Sequence, residues 1–251
     1  DGVSRVRKDN RMAAKKEDYF QVILDRMTAK RENGFQVILV DPAWEFVTYS
    51  EKGAGRSPSA HYDTMTFEHM LELDVRRLAA DDSALFMWVV DWLPQSVAEG
   101  LASAWGFDYK TRAWVWIKQN PTGWGFFTGK GFYTRANPED CLLFTRGRMP
   151  VPSHARPHSV MREPIDADDL ELPFIYAPVM RHSKKPPEQY SRIERMYPAA
   201  KYPNRLELFA REKQPNWLSL GNEIDGRDLR DSIPALAKQI ERKRNNENEK
   251  K

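Results

Sequence analysis

The run Phe35 to Val40, FQVILV, is apolar in five of its six positions and then stops at an aspartate, a proline and, two residues further on, a tryptophan. It is too short for a confident helix and rich in β-formers, so it reads as a strand covered on both faces. The same texture returns in ALFMWVV (84–90), RAWVWIK (112–118), EDCLLFTRG (139–147) and RLELFAR (205–211). Between these runs the pattern switches to a helical period. TFEHMLELDVRRLA (66–79) reads as a capped amphipathic helix, LPQSVAEGLASAWGF (93–107) as a helix ending near Gly106, and KPPEQYSRIERMYP (185–198) as a third. Strands alternating with helices imply an α/β fold: a largely parallel central sheet with helices on both faces. Ligands of such sheets sit beyond the carboxyl ends of the strands, where Asp41 and Arg211 would both fall.

The organisation expected is one main folded domain, residues 34–226, between two charged flanks. Residues 1–33 form a basic N-terminal extension with a helix near 18–30, and residues 227–251 start helical and fade into a charged tail. No apolar run approaches the roughly 20 residues that span a bilayer, and the first twenty residues lack the apolar centre of a secretory signal, so no membrane association and an intracellular, cytoplasmic location are expected. The single cysteine, Cys141, can form no internal disulfide and supplies no cysteine cluster for zinc. Five histidines without HExxH spacing give no reason to expect a bound metal. A net charge of +3 does not identify a nucleic-acid binder by itself. Positive charge gathers near the N-terminus, in 145–162 and in 181–185, while 163–173 is acidic. The ordinary reading of such runs is a solvated face.

The segment GWGFFTGKGF (123–132) superficially suggests a phosphate loop. Thr128 occupies the position that needs glycine, no hydroxyl residue follows Lys130, and Trp124, Phe126 and Phe127 would obstruct a pyrophosphate. A loop over a ligand site is the better reading.

Asp41, Pro42 and Trp44 suit one particular chemistry. An exocyclic amine on a nucleobase is a poor nucleophile, because its lone pair is delocalised into the ring. Two acceptors on its two N–H groups draw it toward the tetrahedral geometry that attack on a methyl sulfonium requires, and an Asp carboxylate followed by a Pro carbonyl supplies them from one rigid turn. Trp44 offers a flat face for a flipped base. A bare D-P-x-W tetrapeptide equally fits a plain strand-end turn with a core tryptophan.

The remaining blocks decide between these. DPAW, HYDTM (61–65), ALFMWVVDW, WVWIKQN, GFYTRANPEDCLLFTRGR, RHSKKPPEQYSRIERMYP and RLELFAREKQPNWLSLGNEID, in this order across Phe35 to Asp225, resemble the MT-A70 family of adenine-N6 methyltransferases. The resemblance implies a permuted methyltransferase-type Rossmann fold, S-adenosylmethionine as cofactor and residues 34–226 as the catalytic domain. It implies Asp41, Pro42 and Trp44 as the catalytic turn, with Asp41 also near the methionine part of the cofactor. Lys185 would reach the cofactor, and Glu207, Phe209, Arg211, Asn222 and Glu223 would hold its ribose and adenine, consistent with a diol taken by a carboxylate and an amide. Tyr62 resembles the family's tyrosine near the target base; with it His61, Lys118, Arg146 and Arg148 are the candidate substrate contacts.

Two departures stand out. Ala43 replaces the second proline of the usual D-P-P-[WFY], which loosens the turn without removing an acceptor. The stretch Arg211 to Trp217 is shorter than in the family's eukaryotic members that methylate mRNA and looks like the small bacterial and phage members. The expected partner is therefore nucleic acid, DNA before RNA, with a homodimer or a partner subunit left open. RNA adenosine-N6 methylation and a non-catalytic scaffold that binds nucleic acid are the alternatives. Retention of both half-sites speaks against the scaffold, and the acid at Asp41 speaks against a protein or small-molecule amine, whose enzymes often carry Asn there.

Overall fold

The computed structural model describes residues 34–44, 65–129, 134–152, 173–180 and 184–248. The expected helix near 18–30, Tyr62 and His61 lie outside the described residues.

Among the described residues seven strands form one sheet: β1 (Phe35–Val40), β2 (Ala79–Val90), β3 (Asp108–Gln119), β4 (Glu139–Arg146), β5 (Phe174–Pro178), β6 (Arg205–Leu208) and β7 (Leu218–Leu220). Their order across the sheet is β5-β3-β4-β2-β1-β6-β7. β1 pairs in parallel with β2 and β6, β6 with β7, and β3 with β5, whereas β4 runs antiparallel to both β2 and β3. Six strands thus share a direction and β4 opposes them. The largely parallel α/β sheet expected from the sequence is what forms, consistent with a methyltransferase Rossmann-like fold.

Alternation along each strand divides the core into two. Ile38 and Val40 of β1, Leu85 and Met87 of β2, and Leu142 and Phe144 of β4 face one side. Val37, Leu39, Phe86, Trp88, Cys141 and Leu143 face the other. On the first side lie helices α1 (Phe67–Glu72), α2 (Gln95–Ala104) and, at the end of the chain, α5 (Leu229–Asn248); on the second lies α3 (Glu188–Met196). A four-residue helix, α4 (Asn222–Asp225), follows β7 directly.

Four elements differ from the sequence expectation. The helix expected over 66–79 ends at Glu72, and a 3-10 turn, Val75–Arg77, leads into β2. Met70, Leu73, Val75 and Leu78 are all buried, yet their spacing does not place them on one helical stripe, so burying all four requires the break. β5 and β7 were not expected, being five and three residues long. The C-terminal segment does not fade into a tail: α5 puts Leu229, Ile233, Leu236, Ala237 and Ile240 into the core at helical spacing. Arg77 also clasps Glu241 with two hydrogen bonds of 2.8 Å. The charged residues after Ile240 hid that stripe.

Candidate active site

Parallel pairing brings the ends of three strands together. Val40 sits opposite Leu208, and Leu208 opposite Leu220, so the next residues along each chain, Asp41, Phe209 and Gly221, emerge side by side at one edge of the sheet. Phe209 takes a left-handed φ of 58°, which turns the chain sharply as it leaves β6. Gly221 lies so close to Ala210 that a β-carbon would meet its carbonyl oxygen at 2.1 Å. Only glycine lets the backbone pass there and set Asn222 at the start of α4.

These ends surround a cavity of about 450 Å³ whose lining includes Asp41, Pro42, Trp44, Lys185, Phe209, Arg211, Asn222 and Glu223. A smaller lobe of about 80 Å³ shares Asp41, Lys185, Phe209 and Arg211 and adds Tyr190 and Glu207. The early acidic turn and the late GNE block, separated by some 180 positions of sequence, therefore open into one space.

The turn is anchored by its backbone and by Trp44. The Trp44 N–H donates to the Pro42 carbonyl at 2.8 Å, and the Met65 N–H to the Ala43 carbonyl at 3.1 Å. The Trp44 indole N–H donates to the Trp88 carbonyl at 3.2 Å, leaving the residue only 6% exposed. Trp44 thus fixes the turn to β2 while lining the cavity. The Pro42 carbonyl keeps a second lone pair for a ligand.

Behind the turn lies a chain of buried charges. The Lys185 ammonium is 2.7 and 2.8 Å from the two Asp41 oxygens and 3.2 Å from Glu139, and the Lys118 ammonium is 2.6 Å from Glu139. Burial raises the Asp41 carboxyl above its ordinary value, with Lys185 opposing and Glu139 adding to the rise. Burial would raise Glu139 too, but the two ammonium groups overcome it and hold that carboxyl below its ordinary value. Lys185 loses proton affinity to burial and regains more from Asp41 and Glu139, so it stays firmly cationic.

Glu207 alternates with Leu206 and Leu208 and so faces the opposite side of the sheet, toward α3. The Tyr190 hydroxyl donates to its Oε1 at 2.9 Å, while Oε2 is buried without a hydrogen-bond partner among the described residues. Burial pushes this carboxyl up to about 7, against the opposing Tyr190 hydrogen bond. A buried acceptor left open beside a cavity fits a ligand hydroxyl. Across the cavity Arg211 is 3.7 Å from Glu223.

The nominated residues thus fall into three groups. Asp41, Pro42, Trp44, Lys185, Glu207, Phe209, Arg211, Asn222 and Glu223 line one cavity or its lobe. Lys118 reaches it through Glu139. Arg146 and Arg148 are not brought there, since β4 runs from Glu139 at this edge to Arg146 at the opposite one, roughly 24 Å away by strand rise. The Arg146 guanidinium donates to the Arg76 carbonyl at 2.9 Å, and the Arg148 backbone N–H to Asp82 at 2.6 Å. Sequence reading missed Glu139. Its one signal was an acid directly ahead of an apolar strand, which means nothing until the strand's direction is known. His69, also on the cavity wall, had no motif to mark it, and Trp92, which closes the ALFMWVVDW block, was assigned no role.

A family model described as MT-A70 matches residues 35–223. The type II methyltransferase M.MunI of a Mycoplasma species is 34% identical over 171 residues, 67% of this chain and 62% of that one. The N(6)-adenosine-methyltransferase subunit METTL3 of Danio rerio is 34% identical over 173 residues, 68% of this chain and 26% of that one. The N(6)-adenine-specific methyltransferase METTL4 of Mus musculus is 28% identical over 188 residues, 74% of this chain and 36% of that one. The chain thus spans less than two thirds of each of these relatives. The match takes in β1 with its acidic turn at one end and the GNE block at the other, and this chain belongs to the MT-A70 family.

Proposed function

We propose that this chain methylates the N6 amine of adenine in nucleic acid, DNA in preference to RNA, with S-adenosylmethionine as the methyl donor. The observation that carries the reading is the shared cavity: Asp41 and Pro42 open into the same space as Lys185, Arg211, Asn222 and Glu223. The donor set suits the cofactor. Asp41 and Lys185 offer opposite charges to an amino-acid zwitterion, and Glu207 Oε2 offers a ribose hydroxyl the partner it lacks. Bound there, S-adenosylmethionine supplies an electrophilic methyl carbon, so that one C–S bond breaks as one N–C bond forms and sulfur keeps the electron pair.

The chain's own residues hold the amine and take its proton. One N–H of the adenine amine donates to Asp41 and the other to the free lone pair of the Pro42 carbonyl, drawing nitrogen toward tetrahedral geometry. Lys185 and Trp44 keep the two acceptors in place, so alignment is built in before the substrate arrives. The methylated nitrogen sheds its extra proton to Asp41, whose proton affinity burial has raised. DNA is favoured by the short Arg211 to Trp217 connection and by the larger share of the type II methyltransferase that the chain covers, 62% against 26% of METTL3.

The test is to incubate the protein with methyl-labelled S-adenosylmethionine and separate DNA and RNA oligonucleotides, beside Asp41→Ala. Label at adenine N6 of DNA is expected, reduced at least about 100-fold in the variant. Label in neither polymer, or an undiminished rate in Asp41→Ala, overturns the reading; binding of nucleic acid without transfer would make the chain a scaffold.

A further inference from the structure

The connection leaving β3 is built to display aromatic side chains rather than to bury them. Past Gln119 the chain doubles back: the Asn120 N–H donates to the Gly125 carbonyl at 3.1 Å, and the Gly123 N–H to the Asn120 carbonyl at 2.8 Å. The Asn120 side-chain amide holds the Trp124 carbonyl at 3.0 Å. Gly123 and Gly125, with φ of 79° and 70°, supply the left-handed positions this turn needs. Its base is equally braced. The Phe127 N–H donates to the Lys118 carbonyl at 2.9 Å, and the Asn137 side chain bonds the Lys118 N–H and carbonyl as well as the Phe127 carbonyl. The Gly129 N–H reaches the Ala136 carbonyl at 2.7 Å. On this scaffold Trp124 is 85% exposed and Phe126 64% exposed, the two most exposed aromatic rings among the described residues.

Position and charge indicate what they meet. The turn rises from the end of β3 at the edge of the sheet that carries the site. Lys118 at its base is joined through Glu139 and Lys185 to Asp41 by contacts of 2.6, 3.2 and 2.7 Å. From Gln119 to Pro138 the sequence holds Lys130 and Arg135 and no acidic residue. The acids just beyond are neutralised, Glu139 by two lysines and Asp140 by Arg112 at 2.9 Å. A segment that carries exposed rings and cations and no acid of its own suits the flat faces and charged backbone of a nucleic acid.

We propose that Trp124, with Phe126 beside it, is a stacking platform for bases next to the target adenine, a contact that positions the polymer and tolerates many sequences. It rests on the nucleic-acid reading above and adds a residue to it. The test is Trp124→Ala, with Trp124→Tyr as the conservative exchange. Affinity for labelled single-stranded and duplex oligonucleotides is measured across salt concentrations, together with steady-state methylation and sedimentation velocity. Trp124→Ala should bind oligonucleotide roughly tenfold more weakly, with Trp124→Tyr recovering most of the loss. The KM for S-adenosylmethionine and kcat at saturating oligonucleotide should hold. The slope of log affinity against log salt should not change, because no phosphate contact is removed. If wild type binds and methylates oligonucleotides and Trp124→Ala matches it, stacking is refuted while the enzyme assignment survives. Conversion of a dimer to a monomer at unchanged oligonucleotide affinity would give the platform to a second copy of the chain and overturn the proposal. If wild type neither binds nor labels any oligonucleotide, both readings fall together.

Discussion

The two ends of β4 sit in opposite settings. At its start Glu139 is 3% exposed and shared between the Lys118 and Lys185 ammonium groups. At its finish Arg146 hydrogen-bonds a surface carbonyl, and Arg148 follows in solvent. Because β4 opposes its neighbours, its first residue joins the edge where the parallel strands end, and its last is carried to the far side. At one edge Glu139 and Lys185 are buried and must find partners among themselves and their neighbours Asp41 and Lys118; on the other, water does that work. Residues a few positions apart in sequence can thus differ entirely in what their removal costs.

The sharpest way to break this contrast is at Lys185. Lys185→Ala deprives the buried Glu139 and the partly buried Asp41 of the ammonium they share, and a loss of about 3–5 kcal/mol is expected on chemical unfolding, with methyl transfer lost as well. An unfolding midpoint equal to wild type would show that the charge chain is not formed in solution.

Glu207 sharpens the contrast through pH. Its folded value of about 7 lies above the ordinary 4.5, so the folded state holds a proton that the unfolded state has released. This group's contribution is therefore fully present below pH 4.5 and is lost as pH rises through 7, on the order of 3 kcal/mol. Thermal unfolding from pH 4.5 to 8 should show wild type losing stability relative to Glu207→Gln. A difference between the two that is flat with pH would mean the carboxyl is solvated.

At the far edge little should happen. Arg146→Ala and Arg148→Ala are each expected to change stability by about 0.5 kcal/mol or less and to leave the KM for oligonucleotide within roughly twofold. A large rise in that KM would bring the far edge back into substrate binding.

What the sequence made legible follows the same division. β1 and β2 were readable because unbroken apolar runs have few other solutions, β6 because RLEL alternates, and Asp41 because a carboxylate and a proline close such a run. Parallel order then implied that strand ends share an edge, which put Asp41 and Arg211 together, while Phe209 and Asn222 came from the family resemblance. Direction was not legible: nothing in EDCLLFTR says that it runs against its neighbours, so Glu139 was missed and Arg146 was placed with the substrate. Nor was the break after Glu72, because local pattern favours one helix and only the competition to bury Val75 and Leu78 ends it. The segment 123–132 read as a loop over a ligand site, but the exposure of Trp124 was not legible, since exposure belongs to the tertiary structure and not to the residue.

The account depends on the acidic turn and the cofactor residues serving a single ligand. A crystal structure with S-adenosylhomocysteine tests that most directly. The homocysteine end should contact Asp41 and Lys185, while Glu207 and Asn222 hold the ribose and Phe209 lies near the bound molecule. A product molecule bound elsewhere, or held by Asn222 and Glu223 with Asp41 out of reach, would contradict it.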